Sequence, residues 1–153
     1  MKYYISNVAD DEWMFILKWV KTKAHYFVTA KQEKKVKNGN DGKKITSIDI
    51  MSNYLLAQYK SEMRWHSKQK FVTVYNKYIL NNEIWTSIFA KPSLESWTEP
   101  EVEDPSFYTV DEHPIIETIS HESMVYAFLN NDEYQYFKNN GVEIRYSSES
   151  DFI

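Results

Sequence analysis

A chain of 153 residues that is 42% hydrophobic and 16% aromatic can bury roughly 68 to 70% of its unfolded surface in one core, and is too apolar for global disorder. It has no cysteine, which excludes disulfides, zinc-thiolate centres and thiol catalysis. The net charge of −4 conceals a division: residues 1–91 hold 16 Lys and Arg against 8 Asp and Glu, whereas residues 92–153 hold 2 against 14. Such asymmetry points to nucleic acid or to charged macromolecular partners, unless the two parts neutralise one another in the fold.

Lys2 to Val8 reads as an opening strand that ends at the turn residue Asn7. Asp10, Asp11 and Glu12 interrupt any secretory apolar run, and no stretch approaches the ~18 residues of a membrane span, so the cytoplasm is the expected compartment. Asp10 is suited to cap a helix. Trp13, Ile16, Leu17, Val20 and Ala24 then recur at i, i+3, i+4, i+7 and i+11, the stripe of one buried helical face. His25 to Ala30 predicts a short strand. The polar stretch from Gln32 to Lys44 carries the turn dipeptides Asn38-Gly39 and Asp41-Gly42, together with Lys34, Lys35, Lys37, Lys43 and Lys44. Lysine loops of this kind can follow a phosphate backbone, although most are simply solvated.

Ser47 can cap a second helix, Ile48 to about His66, in which Met51, Leu55 and Tyr59 recur at i+4. From Gln69 to Lys91, aromatic and β-branched residues flank Asn81-Asn82, a pattern that predicts a β-hairpin turning at the two asparagines. All four prolines lie between Pro92 and Pro114, and the acidic segment they bracket is expected to be irregular, packed in part by Trp97, Phe107 and Tyr108. Pro114 is expected to open a third helix bearing Ile115, Ile116, Ile119, Val125, Tyr126 and Leu129. A short helix from Asp132 to Asn140, capped by Asn131 and ended by Gly141, then leads into a strand, Val142 to Tyr146. The expected fold is α+β, one domain over residues 1–153 with a central antiparallel sheet built around the 69–91 hairpin and about three to four helices. Its basic part is 1–91, its proline-containing acidic segment 92–113, and its acidic helical and strand part 114–153.

Catalytic motifs are missing: the sequence has no Gly-rich phosphate loop, no GxSxG elbow, no HExxH and no EF-hand loop. His113, Glu117 and His121 stand at i, i+4 and i+8, so one continuous helix would align them to hold a divalent metal or to serve a small hydrolase as acid and base. Pro114 weighs against a helix through all three, and Glu-His pairs at this spacing are ordinary helix stabilisers. No catalytic residue, metal or cofactor is therefore assigned.

The expectation is a non-catalytic macromolecule-binding protein, a small regulator or inhibitor of a nucleic-acid-processing machine. Its acidic strip of Glu95, Glu99, Glu101, Glu103 and Asp104, with Trp97, would imitate a phosphate array and occupy a basic protein partner. Small size, 3 glycines and 12 tyrosines, with abundant Asn and Lys, resemble the composition of small phage and mobile-element proteins, among which anti-defence inhibitors are common. The alternative is direct nucleic-acid binding. Lys34, Lys35, Lys37, Lys43, Lys44, Arg64, Lys68, Lys70 and Lys77 would touch phosphate, while Trp65 or Tyr75 would stack on bases.

Overall fold

Side chains alternate along a strand, so each strand of this chain presents one set of residues to a core and the opposite set elsewhere. The computed structural model describes residues 1–33, 49–64, 70–97 and 102–147. In chain order these form β1 (Lys2–Ile5), α1 (Asp10–Lys21), β2 (Tyr26–Glu33), β3 (Leu55–Arg64), β4 (Lys70–Ile79), α2 (Asn82–Phe89), β5 (Glu103–Tyr108), β6 (Pro114–Ile119), β7 (Met124–Phe128), α3 (Asn131–Asn139) and β8 (Arg145–Tyr146). Short 3-10 turns cover Asp49–Tyr54, Leu94–Ser96 and Ser120–Glu122. The fold is α+β, with one 8-stranded sheet in the order β3-β4-β2-β5-β6-β7-β1-β8. Every neighbouring pair is antiparallel. No helix among the described residues is long and apolar enough to cross a membrane.

All three α-helices pack on the same face of the sheet. Tyr3, Ile5, Phe27, Tyr78, Phe107, Ile116, Val125 and Ala127 share that face by register and join one buried cluster with Trp13, Ile16, Leu17 and Val20 of α1, Ile84, Trp85 and Ile88 of α2, and Phe137 of α3. The expected stripe of α1 is thus its buried face. Phe27 lies 5.3 Å from Phe107, 5.8 Å from Tyr78 and 5.8 Å from Trp97, while Trp85 of α2 stacks on Phe107 at 5.6 Å. Aromatic pairs in such contact contribute roughly 0.5–1.5 kcal/mol each beyond the area they bury.

Three expected elements take another form. The first arm of the expected hairpin is β4, but the residues after Asn81 are helix α2, not a second strand. The Asn81 side chain accepts the Ile84 N–H at 2.9 Å, so it caps a helix instead of turning a hairpin, and Ile84, Trp85 and Ile88 follow at helical spacing. The expected helix from Ile48 to His66 is a 3-10 turn followed by β3, which pairs with β4 from Leu55↔Tyr78 to Arg64↔Lys70. The expected helix from Pro114 is two strands, β6 and β7, joined at Ser123 with φ +53°. Ile115, Ile116, Thr118 and Ile119 are β-branched and suit the pleated surface.

Elsewhere the differences are of boundary. The proline-rich segment contains β5 and the Leu94–Ser96 turn, and it is packed by Phe107 and by Trp97, whose side chain is fully buried. α1 begins after Ala9, whose N–H donates to Glu12 at 3.1 Å. α3 is capped by Asn130, one residue before the expected cap, in a reciprocal pair with Glu133. Gly141 follows it at φ +80°, a conformation that glycine adopts without strain. The last strand is shortened to Arg145–Tyr146.

Replacing Asn81 by Ala removes the acceptor at the start of α2 and is expected to lower stability by about 1 kcal/mol. Chemical denaturation of N81A measures this. A hairpin turn at 81–82 would instead leave stability unchanged or lose register.

Candidate functional site

The sheet face opposite the helices carries tyrosine in strand after strand. Because paired residues share a face, Tyr59 of β3 stands beside Tyr75 of β4, Tyr26 of β2 beside Tyr108 of β5, and Tyr126 of β7 beside Tyr4 of β1. Lys77 and Ile79 of β4, Glu117 of β6, Phe128 of β7 and Arg145 of β8 belong to the same face. None of the described helices covers it. Tyr59 remains 48% exposed, Tyr75 36% and Ile79 42%, while Tyr4, Tyr26, Tyr108 and Tyr126 are half-buried.

Polar contacts fix the middle of this surface. The Lys77 ammonium lies 4.2 Å from the centre of the Tyr26 ring and is bound by Glu112, from the turn between β5 and β6. That hydrogen bond to Glu112 is the first cause holding the ammonium above its ordinary pKa. The Tyr108 hydroxyl donates to Glu117 at 3.3 Å. Its phenol is pushed up to about 12, first by burial, then by the Glu117 charge and hydrogen bond, with Tyr59 and Tyr75 adding to the effect. Asp111 and Glu112 are exposed at the rim beside Val110, which is 61% exposed. The result is a Tyr-Ile surface with a neutralised lysine at its centre and carboxylates along one border.

The residues nominated from sequence are dispersed. Tyr75 and Lys77 lie together on this face. Lys34, Lys35, Lys37, Lys43, Lys44, Trp65, Lys68, Glu99 and Glu101 fall outside the described residues, and Arg64 and Lys70 are described only as backbone at the ends of β3 and β4. Of the acidic strip, Glu95 is exposed, Glu103 is half-buried, and Asp104 accepts the N–H and hydroxyl of Ser120 at 2.8 and 3.0 Å. Trp97 is a core residue against Phe27, with Lys91 over its ring, and offers no outer surface.

His113, Glu117 and His121 do not converge. In a strand four residues span about 13 Å rather than one helical turn, so β6 separates what a helix would have aligned. The described surface has depressions at two places near the helices. One beside α2 is lined by Lys21, Trp85 and Phe89, and the other at the start of α1 by Tyr4, Asp11, Glu12, Glu143 and Arg145; neither contains any of the three. Sequence reasoning missed Tyr26, Tyr59 and Tyr108, whose signal is visible only once each strand is paired with its neighbour.

The early and late parts of the chain also meet in ion pairs. Lys23 contacts Glu133 at 2.7 Å, and Lys77 contacts Glu112. At these points the opposite charges of the two parts neutralise one another.

A spectroscopic titration of tyrosinate should find one phenol ionising near pH 12, against 10.0 for an ordinary tyrosine, and Glu117→Gln should bring it down. Since the folded value is the raised one, the stability tied to this proton is complete below about pH 10 and is lost as the pH rises toward 12. E117Q should therefore flatten the alkaline decline in stability over that interval.

Comparison of the chain with protein-family models, with curated proteins and with solved structures finds no match.

Proposed function

We propose that this is a non-catalytic binding protein that docks a basic protein partner on the uncovered tyrosine face, acting as a regulator or inhibitor of a nucleic-acid-handling machine in the cytoplasm. The observation that carries the reading is the face that the described residues leave uncovered: Tyr59, Tyr75 and Ile79 exposed in one patch, bordered by Asp111, Glu112 and Glu117. Tyrosine supplies large contact area with few rotatable bonds, and exposed apolar patches rimmed by polar groups mark interaction sites. The carboxylate border selects a partner of positive charge and discourages an acidic one. Proteins that handle nucleic acid carry such charge on the surfaces that meet phosphate.

Direct binding of nucleic acid is favoured by one observation, that Tyr75 and Lys77 share the face. It is opposed by two. Lys77 is already neutralised by Glu112 and its side chain is only 12% exposed, so it has little charge to offer phosphate. Glu112 and Glu117 would also stand against a phosphate backbone. Glu103 of the Glu95–Asp104 strip shares this face by register, through Ala30, with Tyr75, and so adds to its acidic border.

The immobilised chain, exposed to nuclease-treated host lysate, is expected to retain a basic protein. Tyr59→Ala with Tyr75→Ala should lower that retention at least about tenfold, as loss of a hot spot does, with unchanged circular dichroism. Glu112→Lys should lower it through charge, while Glu95→Lys should leave it intact. Retention lost in E95K but kept in the tyrosine variant would overturn the reading in favour of the acidic strip. Binding that disappears on nuclease treatment would overturn it in favour of nucleic acid.

A further inference from the structure

We infer that Glu103, Asp104 and His121 form a binding site for a divalent transition-metal ion. One donor atom from each of the three side chains lies within 4.8 Å of the other two. The donors come from two segments, the start of β5 and the turn between β6 and β7. Asp104 joins them: its carboxylate accepts the Ser120 N–H at 2.8 Å and the Ser120 hydroxyl at 3.0 Å, and its own N–H donates to that hydroxyl at 3.1 Å. The Thr118 hydroxyl donates to Pro105 O at 2.9 Å, a second tie between the same strands. His121 is therefore carried beside the two carboxylates by backbone that is fixed on both sides.

The donor chemistry selects the ion. Three carboxylates would suit a hard cation such as calcium, whereas one imidazole with two carboxylates suits Zn²⁺, Mn²⁺ or Ni²⁺. Metal-ligand distances near 2.0–2.2 Å put neighbouring donors roughly 3–3.5 Å apart, so the three atoms need only small side-chain movements to close on an ion. The Glu122 carboxylate, 3.8 Å from His121 Nε2, competes for the imidazole in the absence of metal. Three protein ligands leave coordination positions open to water or to a partner's side chain. Neither half of the set is a metal signature in the sequence: His121 pairs there with His113 and Glu117, and Glu103 and Asp104 belong to an acidic run.

The test is calorimetric titration of the full chain with ZnCl₂, and separately with MgCl₂, in a non-chelating buffer. The expected result is one saturable zinc site per chain, weakened at least about tenfold in His121→Ala and in Glu103→Gln, with magnesium much weaker. Asp104 is left unchanged because it also ties β5 to the Ser120 turn. His113→Ala serves as the control and should bind zinc as the wild type does. Absence of saturable heat overturns the inference. So does zinc binding that H121A retains in full, which would mean that exposed groups elsewhere hold the ion. A thermal melt of each variant without metal confirms folding, so that lost binding is read at the site.

Discussion

The alternation of side chains along β2 is the constraint on which the structure rests. Phe27 faces the helices and meets Tyr78, Phe107 and Trp97, while Tyr26 on the other side meets Tyr108 and the Lys77 ammonium. A slip of one residue would exchange the two, moving a phenol into an apolar cluster and a core phenylalanine to the outside. The register of β2 against both neighbours therefore fixes at once where the core lies and which tyrosines are left uncovered. Because α1, α2 and α3 all collect on the Phe27 side, none of the described helices covers the opposite face.

The charge division gains a structural meaning from the strand order. The strands β3, β4 and β2, all from the basic part of the chain, lie together at one end of the sheet, and β5, β6 and β7 from the acidic part follow next to them. The seam between the two groups is the β2–β5 pair, with the Lys77–Glu112 contact beside it. Attraction between the parts thus acts at separate points, at that seam and where Lys23 meets Glu133. Surface ion pairs are worth at most about 1 kcal/mol each, so these contacts add little to stability. A lysine that reads as a phosphate contact in the sequence becomes the ion-paired centre of an aromatic patch.

How much of this was legible follows the strength of local periodicity. The stripe of Trp13, Ile16, Leu17 and Val20 in α1, the aromatic and β-branched run of β4, and Asn-Asn-Gly after α3 all state their structure within a few residues. The segment from Leu55 to Arg64 does not, because it is an edge strand with Leu55, Leu56 and Tyr59 exposed, and its spacing at four residues fits a helix as well as a strand. Only its ladder to β4 decides the matter. Asn81-Asn82 misleads for a different reason, since asparagine suits both hairpin turns and helix caps, and the choice falls to Ile84, Trp85 and Ile88, which bury together only as a helix. The candidate site was legible at Tyr75 and Lys77, which sit on a strand of the right period. Tyr26, Tyr59 and Tyr108 belong to it through register alone, and register is a property of pairs of strands rather than of any one segment.

The position of β1 carries a kinetic consequence. It is inserted between β7 and β8, with Lys2 opposite Phe128 and the Met1 ammonium on Leu129 O, a contact spanning 128 positions. During synthesis β1, with Tyr3 and Ile5 destined for the core, must wait unpaired until β7 and β8 have emerged. Loop closure over such a distance is slow, so completion of the sheet at this edge is a late event, after β2 and β4 have had time to pair. β1 is therefore a strand that needs shielding in the newborn protein, although in the finished molecule it is held on both sides.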